Sequence, residues 1–203
     1  MMATTHALWG MLLAVPVLAV APEHAPAAFL AGLVGGLAPD LDLYAGHRKT
    51  LHYPVYASIA AGSALAIAAL SPSTWTIGAA VGLAAAALHA VTDALGGGLE
   101  LRPWEGTSDR AVYSHFHGRW LRPRRLVRYD GAPEDLALAG VAAVPVATAG
   151  GDAVATVVVG LFAASAVYVV LRKRLAALAE RLVGLIPAPV RPYVPARYLE
   201  TGG

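Results

Sequence analysis

The stretch Gly36 to His52, GLAPDLDLYAGHRKTLH, packs Asp40, Asp42, His47 and His52 into thirteen residues between two apolar runs. Two carboxylates and two imidazoles this close are costly in a chain that is 57% hydrophobic unless something offsets them. The same stretch sets the fold. It reads as a polar connection between two apolar helices, so the chain on either side reads as a helical bundle with a polar site at one end.

Composition supports this. The 203 residues suffice for one domain of ordinary size. A mean hydropathy of +0.58 with only 14% charged residues is too apolar for a typical soluble domain. Cysteine is absent, which excludes disulfides, thiolate ligands and a thiol nucleophile. A metal site here must use His, Asp or Glu, which favours zinc, manganese, magnesium or iron.

Outward from the opening stretch, apolar runs fall at roughly Ala7–Ala21, Pro26–Pro39, Tyr53–Leu70, Trp75–Leu95, Leu136–Ala149 and Ala153–Leu171. A helix needs about 20 residues to cross about 30 Å of hydrocarbon. The third, fourth and sixth runs approach that, and the others are shorter. As a set they predict an all-α polytopic membrane bundle of about six helices. The first run has the look of a signal peptide, but no basic residue precedes it, so it is kept in the bundle.

The charges agree. All 15 Lys and Arg lie at Arg48–Lys49, in the loop Arg102–Arg128 and in the tail Arg172–Arg197. The turns Pro22–Ala25, Ser71–Thr74 and Gly150–Asp152 carry none. With six spans the basic segments share one side, which predicts a multi-pass membrane protein with both termini cytoplasmic. A pI near 9 therefore reads as topology rather than nucleic-acid binding. The expected organisation is a helical membrane domain over 1–171, with a polar loop at 96–135, and a basic amphipathic and Pro-rich tail over 172–203. The aromatics Trp104, Tyr113, Phe116 and Trp120 predict some order in the loop. No strand alternation extends beyond a few residues. Anionic lipid is the expected partner of the tail helix.

Three further residues, His6, His89 and Asp93, complete the candidate set. Pro39 ends the preceding helix, which leaves Asp40 and Asp42 in a tight turn where a cation relieves their repulsion. His47 and His52 are spaced too unevenly for one helical face, so a turn must bring them together. His89 and Asp93 are i and i+4 on an apolar helix, either both on metal or with Asp93 orienting His89. His6 opens the first run. Topology thus gathers His6, Asp40, Asp42, His47, His52, His89 and Asp93 at one face as candidate metal ligands. Seven exceed the needs of one tetrahedral zinc and suit two metals, or one metal plus a general base. His115 and His117 read as surface histidines, and His24 falls on the opposite side. No GxSxG, Walker loop, GxGxxG or HExxH is present.

Together these motifs resemble the YdjM-like family of inner-membrane, metal-dependent hydrolases. The resemblance rests on Thr5-His6, on Pro39-Asp40-Leu41-Asp42, on Gly46-His47-Arg48-Lys49-Thr50-Leu51-His52, and on His89-Ala90-Val91-Thr92-Asp93 followed by glycines and Arg102-Pro103-Trp104. It covers roughly residues 5–120. Leu51-His52-Tyr53 stands where the family has Thr-His-Ser, and Lys49 replaces a common Gly. The resemblance implies a metal site and hydrolase chemistry.

The resulting expectation is a membrane-bound hydrolase with a divalent metal, zinc first and manganese or magnesium next. Asp40 or Asp42 is the expected general base. Arg48 or Arg102 is expected to hold an anionic group of an amphiphilic substrate, such as a lipid-like ester or phosphoester. Two other readings stand beside it. One is a non-catalytic membrane protein whose His/Asp network is structural and whose basic face binds anionic lipid or a partner. The other is an ion or metal transporter with ligands lining a path, against which counts the lack of ionisable groups in the middle of each run.

Overall fold

A computed structural model describes residues 1–199. The chain is mostly helical. It runs α1 (Ala3–Leu12), α2 (Val17–Val20), α3 (Ala25–Leu37), a 3-10 helix over Ala38–Tyr44, α4 (Pro54–Leu70) and α5 (Thr74–Thr92). A short hairpin of β1 (Val112–Ser114) and β2 (Arg119–Leu121) follows, then α6 (Pro133–Ala149), α7 (Gly151–Gly184) and α8 (Ala196–Leu199).

Among the described residues, four segments are long and apolar enough to cross a membrane: Ala3–Val20, Pro22–Tyr44, Thr74–Leu95 and Gly151–Gly184. This departs from the expected division of long and short runs. The first run starts earlier than its apolar core and continues through a turn to Val20. The second is lengthened by the 3-10 helix. The third stops at 17 residues, because Tyr53–Pro54 fixes its start and Ser71 its end. α6 has the same length and carries Pro145 inside it.

α1 lies at the centre, against α3, α5, α6 and the edge of α7, while α4 packs on α5. Glycine makes the close crossings possible. A side-chain carbon at Gly10 would fall on the Gly32 carbonyl, one at Gly35 on Gly82, and one at Gly36 within 2.9 Å of the Ala7 backbone. Gly32 and Gly36 are i and i+4, so one glycine face of α3 receives α1 along its length. Leu8, Met11, Phe29, Val81 and Val146 fill the space between the helices. Much of the remaining apolar surface faces outward, including Leu30, Val34, Ile59, Ile67, Val144, Val159 and Val170.

The hairpin was not legible in the sequence, since each strand has three residues. Tyr113 and Trp120 pair across it with ring centroids 5.5 Å apart. It supports the opening stretch directly. The Tyr113 N–H donates to the Arg48 carbonyl at 2.9 Å, and the His115 ring donates to the Lys49 carbonyl at 2.7 Å. The apolar run over 153–171 and the basic segment after it form a single helix, α7. Its basic part is tied to the polar loop. Arg172 pairs with Asp130 at 2.9 Å, Tyr168 donates to the same carboxylate at 2.5 Å, and Arg102 pairs with Glu180.

Candidate metal centre

The α3 helix ends at Leu37, and Pro39 starts the 3-10 helix that carries Asp40 and Asp42. The tighter winding sends Asp42 inward, where it is buried, and leaves Asp40 partly exposed. The chain then turns at Gly46 (φ 95°) and Arg48 (φ 58°), both left-handed. A left-handed arginine costs about 1–2 kcal/mol, and what offsets it is visible. Asp42 Oδ1 accepts from the Arg48 N–H at 3.3 Å and the His47 Nδ1–H at 3.1 Å. Asp42 Oδ2 accepts from the Leu51 N–H at 3.1 Å and the His52 Nδ1–H at 3.0 Å. One carboxylate thus organises the whole turn.

His52 and His89 then meet. His89 Nδ1–H donates to the Gly36 carbonyl at 2.6 Å. A carboxylate and a carbonyl can only accept, so both rings carry their protons on Nδ1. The two Nε2 atoms face each other at 3.2 Å. Two lone pairs at that distance repel unless positive charge lies between them, either an extra proton or a metal ion.

The carboxylates of Asp40 and Asp93 close the group. His89 Nε2 is 3.4 Å from Asp40 Oδ1 and 3.7 Å from Asp93 Oδ2, and His52 Nε2 is 3.9 Å and 3.5 Å from the same atoms. Ligand bonds of about 2.0 Å in a tetrahedron place donor atoms about 3.3 Å apart. The four ligand atoms all lie within 4.8 Å of one another, so Asp40, His52, His89 and Asp93 could hold a metal ion. Two imidazoles and two carboxylates suit a borderline or hard divalent cation.

Burial alone would lower the basicity of the His52 imidazole. Its bond to Asp42 and the nearby charge of Asp93 outweigh that and raise it above its ordinary value. The environment of His52 thus favours added positive charge.

The seven expected ligands divide four and three. Among the described residues one such group is present, which gives no support to a two-metal centre. His6 does not join it. Its ring stacks on His89 with centroids 3.7 Å apart, and its Nε2–H donates to Asp93 Oδ1 at 3.0 Å. His47 lies behind Asp42, 3.9 Å from Asp40. Asp42 is not in that group. Its two oxygens accept from four donors, which makes it the acceptor that aims His52.

Arg48 reaches Asp93 from the turn. It is buried, its Nη1 donates to the Gly97 carbonyl at 2.9 Å, and its Nε lies 3.1 Å from Asp93 Oδ2, at ion-pair distance without the alignment of a hydrogen bond. Its charge is spent on Asp93. Arg102 is exposed and bound to Glu105 and Glu180, away from the group. His117 bonds Ser114, and His24 bonds Thr74 between two turns at the far end. Sequence reasoning missed the Gly36 carbonyl, because a backbone acceptor leaves no mark in composition.

A cavity of about 590 Å³ adjoins the group. Asp40, His47 and Arg48 form part of one wall, and Ala164, Leu175 and Ala179 of α7 form part of another. No family model matches the chain, and neither a curated protein nor a solved structure matches it.

Proposed function

We propose that this is a multi-pass membrane protein that uses a divalent metal at its cytoplasmic face to hydrolyse an amphiphilic substrate, as the resemblance to the YdjM-like hydrolases implies. The observation that carries the reading is the pair of Nε2 atoms facing each other at 3.2 Å between two carboxylates, next to a cavity lined in part by apolar residues of α7.

Three features support the membrane placement. Four segments have the length and apolarity to cross, and the two 17-residue helices beside them, about 26 Å each, reach the lower limit for a span. The outward surface of the helices is largely apolar. All basic residues sit on the connections at the site's end of the bundle or on the tail, while the turns at the other end carry none. The 34 residues of α7 extend about 51 Å, so the part from Arg172 onward emerges into the basic side.

The residues have separable roles. Asp42 and the Gly36 carbonyl hold His52 and His89 in the tautomer that presents Nε2. Asp40, the partly exposed member, stands at the cavity and is the carboxylate placed to take a proton from water there. His6 and Arg48 fix Asp93 from two sides. A divalent ion, when bound, supplies Lewis acidity and neutral-pH activation of water. Zinc suits the donor set best, with manganese or magnesium next.

The structural alternative has one observation in its favour. Both oxygens of Asp93 already face cations, Arg48 at 3.1 Å and the Met1 amino group at 2.8 Å. Hydrolysis of lipid esters and phosphoesters in nanodiscs separates the two. The hydrolase reading predicts product release that a chelator stops, that zinc or manganese restores, and that His52→Ala abolishes while the protein stays folded. A structural network predicts no release and a His52→Ala protein that melts earlier.

A further inference from the structure

Helix α4 stands at the edge of the bundle. It packs chiefly on α5 and leaves Ile59, Leu65 and Ile67 exposed. Its 17 residues extend about 26 Å, short of a hydrocarbon layer of about 30 Å. A span with no length to spare has its first turn at the boundary with the head groups. Tyr53 caps that turn and Tyr56 lies in it, half exposed. Bilayer boundaries favour such rings, apolar in body and polar at the tip.

The hairpin brings further rings to the same level. Phe116, at its tip, meets Tyr56 edge-on with centroids 6.1 Å apart, yet stays 58% exposed. His115 stacks on Tyr53 at 4.5 Å. The Phe116 side chain has no polar atom, so leaving most of it in water forgoes the free energy of burial. Two exposed cations accompany the rings. The Lys49 ammonium lies 4.7 Å from the Tyr113 centroid, and Arg119 adjoins Trp120 in β2. From Arg110 to Arg122 the sequence has no Asp or Glu. Exposed rings edged by cations and free of acids match a layer of phosphate head groups over hydrocarbon.

We infer that the hairpin tip is a membrane anchor. Phe116 enters the boundary layer of the bilayer beside Tyr53 and Tyr56, and Lys49 and Arg119 meet phosphates of the same leaflet. This rests on the membrane placement proposed above and adds a foothold outside the spanning helices. Because the hairpin holds the Arg48 and Lys49 carbonyls, the foothold also fixes the turn that aims His52 relative to the bilayer.

The chain has no cysteine, so one introduced thiol carries one nitroxide label. Full-length variants Leu65→Cys, Phe116→Cys and Asp109→Cys are labelled in nanodiscs containing phosphatidylglycerol. Each label is read by its accessibility to oxygen, which concentrates in the bilayer, relative to a neutral nickel chelate, which stays in water. Leu65→Cys, near the middle of α4, should give the highest ratio. Asp109→Cys, at the open end of the hairpin, should give the lowest. Phe116→Cys should fall between them, several-fold above Asp109→Cys. Adding Lys49→Gln and Arg119→Gln to Phe116→Cys should lower its ratio, and an unchanged ratio would remove the cations from the anchor. A Phe116 label at the Asp109 value, with the Leu65 label in lipid, would overturn the inference and leave the membrane placement standing. A Phe116 label shielded from both reagents would put protein over the tip, which also overturns it. A Leu65 label at the Asp109 value would instead sink the membrane placement itself.

Discussion

The cluster around Asp93 and the polar loop over 96–132 are both rich in ionisable groups, yet they use them in opposite ways. Along the exposed part of the loop, several charges meet at the surface in small separate groups. Arg122 meets Asp109 at 3.2 Å, Arg128 meets Glu134 at 2.8 Å, and Arg102 meets Glu105 at 3.3 Å. Each pair is complete and partly in water, where such bonds contribute little. In the cluster, the groups are buried and converge, and two acceptors face each other with no donor between them. The number of charges does not mark a site. What sets the cluster apart is convergence on a centre where two acceptors face each other.

The contrast can be broken first at Asp42. Asp42→Asn keeps the shape but swaps acceptors for donors on one side of the turn, so His52 loses the bond that sets its tautomer. Metal affinity, read by competition with a chromophoric chelator, should fall about 10–100-fold. An unchanged affinity would mean that Asp42 does not aim His52. Next is Gly36→Leu, which drives a side chain into the α1 backbone and displaces the carbonyl that holds His89. It should cost about 1–3 kcal/mol in unfolding and weaken metal binding too, whereas Gly62→Leu, at a position with open space, should do neither.

The loop offers a smaller test. Burial opposes charge on Asp130, but Arg172 and Tyr168 outweigh it and hold its carboxyl below the ordinary range. A lowered folded value means the clasp contributes fully above about pH 3.9 and is lost only as pH falls through that lowered value. Hydrogen exchange in residues 96–104 should stay protected at pH 5 in wild type and lose protection at every pH in Asp130→Asn. The smallest effect is expected for Asp109→Asn, which breaks an exposed pair and should leave the melting temperature unchanged. A clear drop there would erase the distinction between the two regions.

Much of the site was legible because its motifs are short and local. Asp40, His52, His89 and Asp93 stand out as ionisable residues flanked by apolar ones, and helix hairpins return them to one end. Their roles were less legible. His6, Asp42 and His47 have the same chemistry as the group they surround, and only the 3-10 winding after Leu37 and the left-handed Arg48 decide which side chains point inward. The helices were readable from hydropathy, but their lengths were set by details outside the apolar runs, such as the 3-10 extension to Tyr44 and the Tyr53–Pro54 start of α4. The hairpin was hidden because three-residue strands carry no usable period.

The central claim is that the cluster is built around a cation. Elemental analysis of purified wild-type protein beside an Asp40→Asn/His89→Ala variant tests it most directly. The account predicts a stoichiometric divalent metal in the wild type, with zinc foremost, and its loss in a variant that remains folded. Wild-type protein that takes up no metal, or a variant that retains the same amount, would contradict it.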